Sequence, residues 1–161
     1  MSWFAYVIAA LNADVLREIA FADEYLRLAR LLKRSSDPMM THQIAVCAAT
    51  ALSNATALAA EMIALGAAPL PVAPAPRTHP ATPKSSEQRL TEARSALAHY
   101  QRRLAMARQF GLQRLQEVFR EIVSGKRKHL AHTQAAAAAA AKEAENRMNW
   151  ERFDANCGSD E

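Results

Sequence analysis

Apolar residues recur at alternating steps of four and three along this chain, and that spacing limits the fold more than any other feature of the sequence. In the first such stretch the stripe consists of Leu11, Val15, Glu18, Ala22, Tyr25, Ala29 and Leu32. This is the period of an α-helix that buries one face. Runs of β-branched residues bounded by turn signals, which would indicate strands, are nearly absent. The sequence therefore predicts an all-α fold.

Four helices are predicted from the points where these stripes begin and end. The first two span about 5–34 and 39–65; the third begins at a cap supplied by Ser85 or Ser86 and ends at Gly111. The fourth follows at once and frays beyond about Asn149. Residues 67–84 hold six of the seven prolines and should form an extended crossover. Two helical hairpins joined by a long crossover are typical of a ferritin-like four-helix bundle, here residues 1–149, followed by a flexible polar tail, 150–161.

The charge distribution gives a weak indication of partners. The formal net charge is +4, and residues 101–130 carry eight basic and two acidic side chains. Such a stretch can attract phosphates or anionic lipids, but it more often forms a solvated or subunit-facing helix surface. No nucleic-acid motif accompanies it, so we do not expect nucleic acid as a partner.

Cysteine usage and the N-terminus indicate the compartment. Cys47 and Cys157 have no paired spacing typical of a zinc site, a redox motif or a disulfide framework, which predicts reduced thiols and a cytoplasmic location. The apolar start, "MSWFAYVIAAL", lacks the features of a signal peptide and is too short to span a bilayer. We expect it to begin the first helix, with no transmembrane segment in the chain.

Glu18 is the anomaly in the first stripe. A carboxylate inside a bundle is costly unless a metal, a cation or hydrogen bonds compensate it. The identity of that compensating group is the main question that the sequence raises about function.

Three stretches resemble bacterioferritins. "LNADVLREIAFADEYLRLARLLK" resembles their first helix, with its inward Glu and a Tyr two turns on, here Glu18 and Tyr25. "IALGAAPLP" resembles the turn that closes their second helix. "YQRRLAMARQFGLQRLQEVFREIVSGKRKHLAHT" is similar to the end of their third helix and most of the fourth. The resemblance covers roughly residues 8–134.

This resemblance implies the positions of a di-iron centre and a haem ligand. In the family, two helices each give a Glu and two others each give a Glu-x-x-His pair. Glu18 and His129 match two of those ligands. The remaining matched positions are occupied by residues of other kinds, namely Ala51, Asn54, Ala93 and Lys126, while Glu92 is one residue away from the expected carboxylate. Leu52 replaces the haem-ligating methionine, so we expect neither a resident di-iron centre nor haem.

Lys126 offers an answer to the question that Glu18 raises. In the family the matched positions converge in the core, so a buried Glu18–Lys126 ion pair is the hypothesis. The alternative is that Lys126 reaches water along its helix. We expect His129 to be an interior, hydrogen-bonded histidine and not a metal ligand. We expect Tyr25 to pack in the core.

The favoured interpretation is a non-catalytic bacterioferritin-like subunit. It would form part of an iron-storage shell, as a homo-oligomer or together with an active ferritin-like partner, as light-chain ferritin subunits do. Iron would be handled only through that partner. An interaction or scaffolding protein without an iron role is the alternative, supported by the proline-rich crossover and the alanine-rich extension. An active ferroxidase is the least favoured interpretation.

Overall fold

The computed structural model describes residues 2–32, 38–69 and 84–157. Within them the chain forms four α-helices: α1 (Trp3–Leu32), α2 (Pro38–Ala64), α3 (Ser86–Gln109) and α4 (Gln113–Cys157). These described residues contain no strand. The all-α prediction is confirmed.

Two of the helices begin at serine caps. The Ser2 hydroxyl accepts a hydrogen bond from the Ala5 amide at 3.2 Å, and α1 accordingly starts two residues before its predicted beginning. At α3 the Gln88 amide donates to Ser85 Oγ at 3.1 Å, while the Ser85 amide donates to Gln88 Oε1 at 2.8 Å. This reciprocal pair is a capping box, so Ser85 is the cap.

Two helices end at glycines with left-handed backbone. Gly66 and Gly111 have φ values of 81° and 66°. The amides that follow them, of Ala67 and Leu112, donate to carbonyls five residues back, which satisfies groups left open at the helix end. The sequence predicts that the second helix ends at about residue 65 and the third at Gly111, in agreement with these positions.

The described residues form two compact units. The first contains α1, α2 and Ala107–Val118. Inside it α1 and α2 pack against each other along the predicted stripes. Its buried apolar side chains include Val7, Leu11, Val15, Ala22, Ala48, Ala55, Leu58, Met62 and Leu115.

The second unit contains residues 84–106 and 119–157. Its largest buried side chains are Tyr100 and Phe119, whose ring centroids lie 6.2 Å apart. Ala93, Ala96 and Ile122 are also buried there. Ala93, Tyr100, Phe119 and Ile122 lie on the stripes that helical spacing predicts for the third and fourth helices. Ala96 does not, because the predicted position there was Leu97, which is only half-buried.

Three predictions concern segment boundaries. Most of the predicted crossover, residues 70–83, lies outside the described residues, as do 33–37 at the end of the first predicted helix. α4 is helical to Cys157, past the predicted end near Asn149. Alanine, lysine, glutamate and arginine dominate residues 135–147 and have high helix propensity. The division into a bundle and a polar tail stays a prediction.

One described helix, over Thr41–Ala64, is long and apolar enough to cross a membrane by length and composition alone. Core helices of globular proteins pass the same test. The N-terminal apolar segment begins α1, as the sequence predicts.

Candidate functional site

Glu18 is fully buried, with 0% of its surface exposed. It lies on the inner face of α1 between Val15 and Ala22, and helical spacing alone places it there. Asn54, on α2, donates a hydrogen bond from Nδ2 to Glu18 Oε2 at 2.9 Å. A side-chain amide from the neighbouring helix thus contributes to the compensation of this buried carboxylate.

The role of Asn54 was not foreseen from the sequence. The resemblance identified Asn54 as a replaced ligand position; hydrogen bonds were among the possible compensating groups for Glu18, but the specific hypothesis was an ion pair with Lys126. A hydrogen bond from a neutral amide to an ionised carboxylate is charge-assisted and stronger than a neutral pair. The resemblance could have suggested this hydrogen bond, because it placed Glu18 and Asn54 in the same cluster of ligand positions.

Two further polar residues of α1 are buried and were missed. Asp14 is fully buried and Asn12 is nearly so. Asp14 precedes Glu18 by four residues, so both carboxylates lie on one face of the helix, one turn apart. Val15 is buried as the stripe predicts, and Asp14 is buried beside it, although the spacing of fours and threes did not include it.

Lys126 lies in the second unit beside an aromatic pair. Its Nζ lies over the Tyr100 ring, 5.5 Å from the centroid, within the range of a cation–π contact. Tyr100 is fully buried, and His99 approaches it edge-on with ring centroids 5.1 Å apart. Lys126 itself is half-buried. The Glu18–Lys126 ion pair joins residues of different units and stays a prediction.

His129 is adjacent to Lys126 on the same face of α4. Burial lowers the pKa of His129 below its ordinary value of 6.5, and the positive charges of Lys126 and His132 lower that pKa further. The backbone carbonyl of His129 accepts a hydrogen bond from Thr133 Oγ1 at 2.9 Å. The neutral imidazole is therefore the favoured form at neutral pH.

A separate ion pair involves Glu61 and was not predicted. Glu61 is buried near the end of α2, and Arg114 Nη2 lies 3.1 Å from its Oε1. Arg114 is 75% exposed, so this bridge is anchored on one side and solvated on the other. It joins the end of α2 to the start of α4 within the first unit.

Two solved structures are similar to this chain. The bacterioferritin of Rhodobacter capsulatus, described with a metal-free dinuclear site and haem iron, aligns with a TM-score of 0.74 at 18% identity, covering 86% of this chain and 87% of that one. The Desulfovibrio desulfuricans bacterioferritin, described with a di-iron site in different catalytic states, aligns with a TM-score of 0.73 at 16% identity. That alignment covers 84% of this chain and 80% of the other. The fold is that of the bacterioferritins.

Comparison by sequence adds nothing to this result. No protein-family model matches the chain, and no curated protein matches its sequence. The likeness to bacterioferritins therefore concerns the fold, which is the ferritin-like four-helix bundle predicted from the sequence.

Three other positions that the resemblance relates to iron ligands are occupied by Ala51, Ala93 and Asn54. Ala51 and Ala93 are both buried, and their methyl groups offer no donor atom. Asn54 is hydrogen-bonded to Glu18. Across the part of the chain that the structure describes, no three His, Cys, Asp or Glu side chains are grouped so as to hold a metal.

Two further positions, Leu52 and Tyr25, were named from the resemblance to bacterioferritins. Leu52 is 46% exposed on the outer face of α2 and carries no sulfur. Tyr25 is half-buried on α1, and its packing role stays a prediction.

Proposed function

We propose that this chain is a non-catalytic subunit with the bacterioferritin fold and that it is a structural component of an iron-storage shell. The observation that carries the proposal is the buried Glu18 with its amide partner Asn54. At the position of the family's second-helix histidine this chain has Asn54, which is hydrogen-bonded to the first-helix carboxylate of Glu18.

The donor chemistry of the matched positions does not fit a di-iron centre. Iron in such a centre needs oxygen and nitrogen donors that together offset its charge. Ala51 and Ala93 supply no donor, and Lys126 supplies a positive charge. Iron is the cargo of such a shell, and a catalytically active partner subunit would oxidise it.

The outer face of α2 supports assembly with other subunits. Glu61 is the only Asp, Glu, Lys or Arg in Pro38–Ala64, and it is buried against Arg114. Val46, Leu52 and Ile63 are about half exposed or more. A helix facing water normally carries charged residues on its outer face, whereas an apolar exposed face marks an interaction surface.

Polar groups on this face are also satisfied internally. Thr50 Oγ1 donates to the Val46 carbonyl at 2.9 Å, and Thr56 Oγ1 donates to the Leu52 carbonyl at 2.9 Å. Their hydroxyl groups therefore need no partner in water, which lowers the cost of covering the face with another subunit.

The mass of the purified chain in solution tests the proposal. Light scattering should give an assembly far heavier than 17.7 kDa. Leu52→Lys should reduce that mass, because it brings an unpaired charge into the interface, while Leu31→Lys on α1 serves as an equally exposed control. Co-expression with an iron-oxidising ferritin should give a mixed shell. A monomer that forms no shell with such a partner would contradict the proposal.

A scaffolding protein without an iron role is the second candidate. The observation that favours it is the length of α4, 45 residues against 24 for α3. Residues 135–148 of that helix are almost entirely exposed. A shell subunit should keep its mixed assembly after truncation at residue 135, whereas a scaffold that binds through this extension should lose its partner.

The cytoplasmic location belongs to the same proposal. It is supported by the cysteine usage of the sequence, in which neither Cys47 nor Cys157 has a spacing typical of a disulfide framework.

A further inference from the structure

Exposed aromatic side chains cluster where α1 begins. Trp3, Phe4 and Tyr6 are between 38% and 51% exposed. Trp3 meets Phe4 edge-on at 6.0 Å and stacks on Phe110, with ring centroids 5.7 Å apart and an interplanar angle of 24°. The turn between α3 and α4 therefore lies against the start of α1 within the first unit.

The end of α2 reaches the same region. The ion pair between Glu61 and Arg114 holds the last turn of α2 next to the first turn of α4. Ile63, in that last turn, is 64% exposed. We call this region the aromatic end and define it by its exposed and half-exposed side chains: Trp3, Phe4, Tyr6, Ile63, Arg108, Phe110 and Arg114.

The exposed charges of the aromatic end have one sign, although one of its two arginines, Arg114, is paired with the buried Glu61. Residues 2–13, 62–69 and 107–116 contain no Asp or Glu, and their only charged side chains are Arg108 and Arg114, both exposed. The acidic residues that flank these segments are Asp14 and Glu61, which are buried, and Glu117 further along α4.

This combination matches the surface of an anionic bilayer. Tryptophan and tyrosine prefer the interface between headgroups and acyl chains, because each ring has an apolar body and a polar group. Stable peripheral binding usually needs two signals, apolar insertion and attraction of basic residues to anionic lipids. The aromatic end supplies both.

We propose that the aromatic end binds the surface of an anionic phospholipid membrane. Trp3, Phe4 and Tyr6 enter the headgroup region, and Arg108 interacts with lipid phosphates. The solvated side of the Arg114 side chain adds to this attraction, while its other side is paired with Glu61. Protein interfaces are also rich in aromatic residues and arginine. Residues 2–13, 62–69 and 107–116 expose no acidic side chain, which favours the uniformly negative lipid surface. This inference does not depend on the proposed role in a storage shell.

Vesicle binding of the full chain tests the inference. Trp150→Phe leaves Trp3 as the only tryptophan, so its emission reports on the aromatic end alone. This protein is mixed with sucrose-loaded vesicles of phosphatidylcholine, or of phosphatidylcholine with phosphatidylglycerol, and sedimented. We expect co-sedimentation and a blue shift of Trp3 emission with the anionic vesicles only, weakened by added salt.

Three variants locate the binding surface. Trp3→Ser/Phe4→Ser removes the two inserting rings. In the sedimentation assay it should bind anionic vesicles at least roughly tenfold more weakly than the parent protein. Arg108→Gln alters one exposed charge, leaves the ring contacts intact and should weaken binding to anionic vesicles roughly fivefold. Leu26→Ser/Leu31→Ser, at the other end of α1, changes two exposed apolar residues and should bind like the parent protein. Circular dichroism checks that each variant is folded.

Several outcomes would overturn the inference. The first is that the parent protein does not bind anionic vesicles. The second is that Trp3→Ser/Phe4→Ser binds them as well as its parent does. The third is that this variant forms a lighter assembly in light scattering although the parent binds no vesicles. The last result would assign the aromatic end to a protein partner. A failed shell would instead be seen as low mass of the unaltered chain in the absence of lipid.

Discussion

Replacing Asn54 by leucine tests the hydrogen bond that helps to compensate Glu18. The substitution keeps a side chain of similar size and removes the Nδ2 donor that lies 2.9 Å from Glu18 Oε2. A hydrogen bond to a charged group contributes about 1.5–3 kcal/mol, and the carboxylate that loses it is fully buried. Asn54 is only half-buried, so the added leucine surface offsets a small part of this loss. We expect Asn54→Leu to lower the free energy of unfolding by about 2 kcal/mol.

The assay is urea unfolding followed by circular dichroism at fixed protein concentration. Gln43→Leu is the matched control, since it exchanges an exposed side-chain amide for leucine on the same helix and should stay within about 0.5 kcal/mol of the parent. Glu18→Leu and the Glu18→Leu/Asn54→Leu double variant complete a cycle. Its coupling energy should be about 1.5–3 kcal/mol. An Asn54→Leu protein as stable as the Gln43→Leu control, or a coupling energy near zero, would refute the reasoning.

Three further predictions use the same unfolding assay. Glu18→Gln keeps an oxygen that can accept from Asn54 but removes the charge, so it should cost about 3–5 kcal/mol if Lys126 is paired with Glu18. Glu18→Gln/Lys126→Met keeps the same acceptor and removes both charges, so it should recover most of that loss. A harmless Glu18→Gln would contradict the ion pair. The pKa of His129 is lowered in the folded state, so the unfolded chain takes up a proton first, and stability should fall as pH drops through 6.5. His129→Gln should flatten that part of the profile, and an unchanged profile would exclude His129 as its source. Ser85→Ala removes the hydroxyl half of the capping box at α3 and should cost about 1 kcal/mol, whereas Ser95→Ala, exposed within α3, should cost less.

Much of the fold was predictable because helical spacing is a strong constraint. The stripes through Leu11, Leu58 and Phe119 place these side chains in the core, and the left-handed glycines Gly66 and Gly111 mark helix ends. The start of α2 differs slightly, because Pro38 fits the first position of a helix and does not have to precede it.

The candidate site was less predictable because spacing gives a face and not a side-chain direction. Glu18 was correctly assigned to the buried face, but its bond to Asn54 depends on rotamers and on the approach of α2. Asp14 was missed, since the pattern of fours and threes permits only one of two adjacent inward positions. The contact of Lys126 with Tyr100 likewise depends on how α4 is rotated about its own axis.

The arginine pair of the aromatic end illustrates the same limit. The basic stretch 101–130 was recognised in the sequence, and anionic lipids were considered as one possible attraction. The sequence could not indicate that Trp3 stacks on Phe110, which brings the start of α1 and the turn before α4 together. That single ring contact makes one surface out of two segments that are far apart in the chain.

Anaerobic titration of the purified chain with ferrous iron, followed by exposure to oxygen, tests the central claim most directly. The claim is that most positions that hold iron ligands in bacterioferritins are occupied in this chain by side chains that do not bind iron. A variant with Ala51→Glu, Asn54→His, Ala93→Glu and Lys126→Glu, which completes the ligand set implied by the resemblance, is the comparison protein. We predict that the natural chain binds no stoichiometric iron and oxidises it no faster than buffer, while the comparison protein gains saturable binding. Saturable binding of two iron ions per natural chain, with rapid oxidation, would contradict the account.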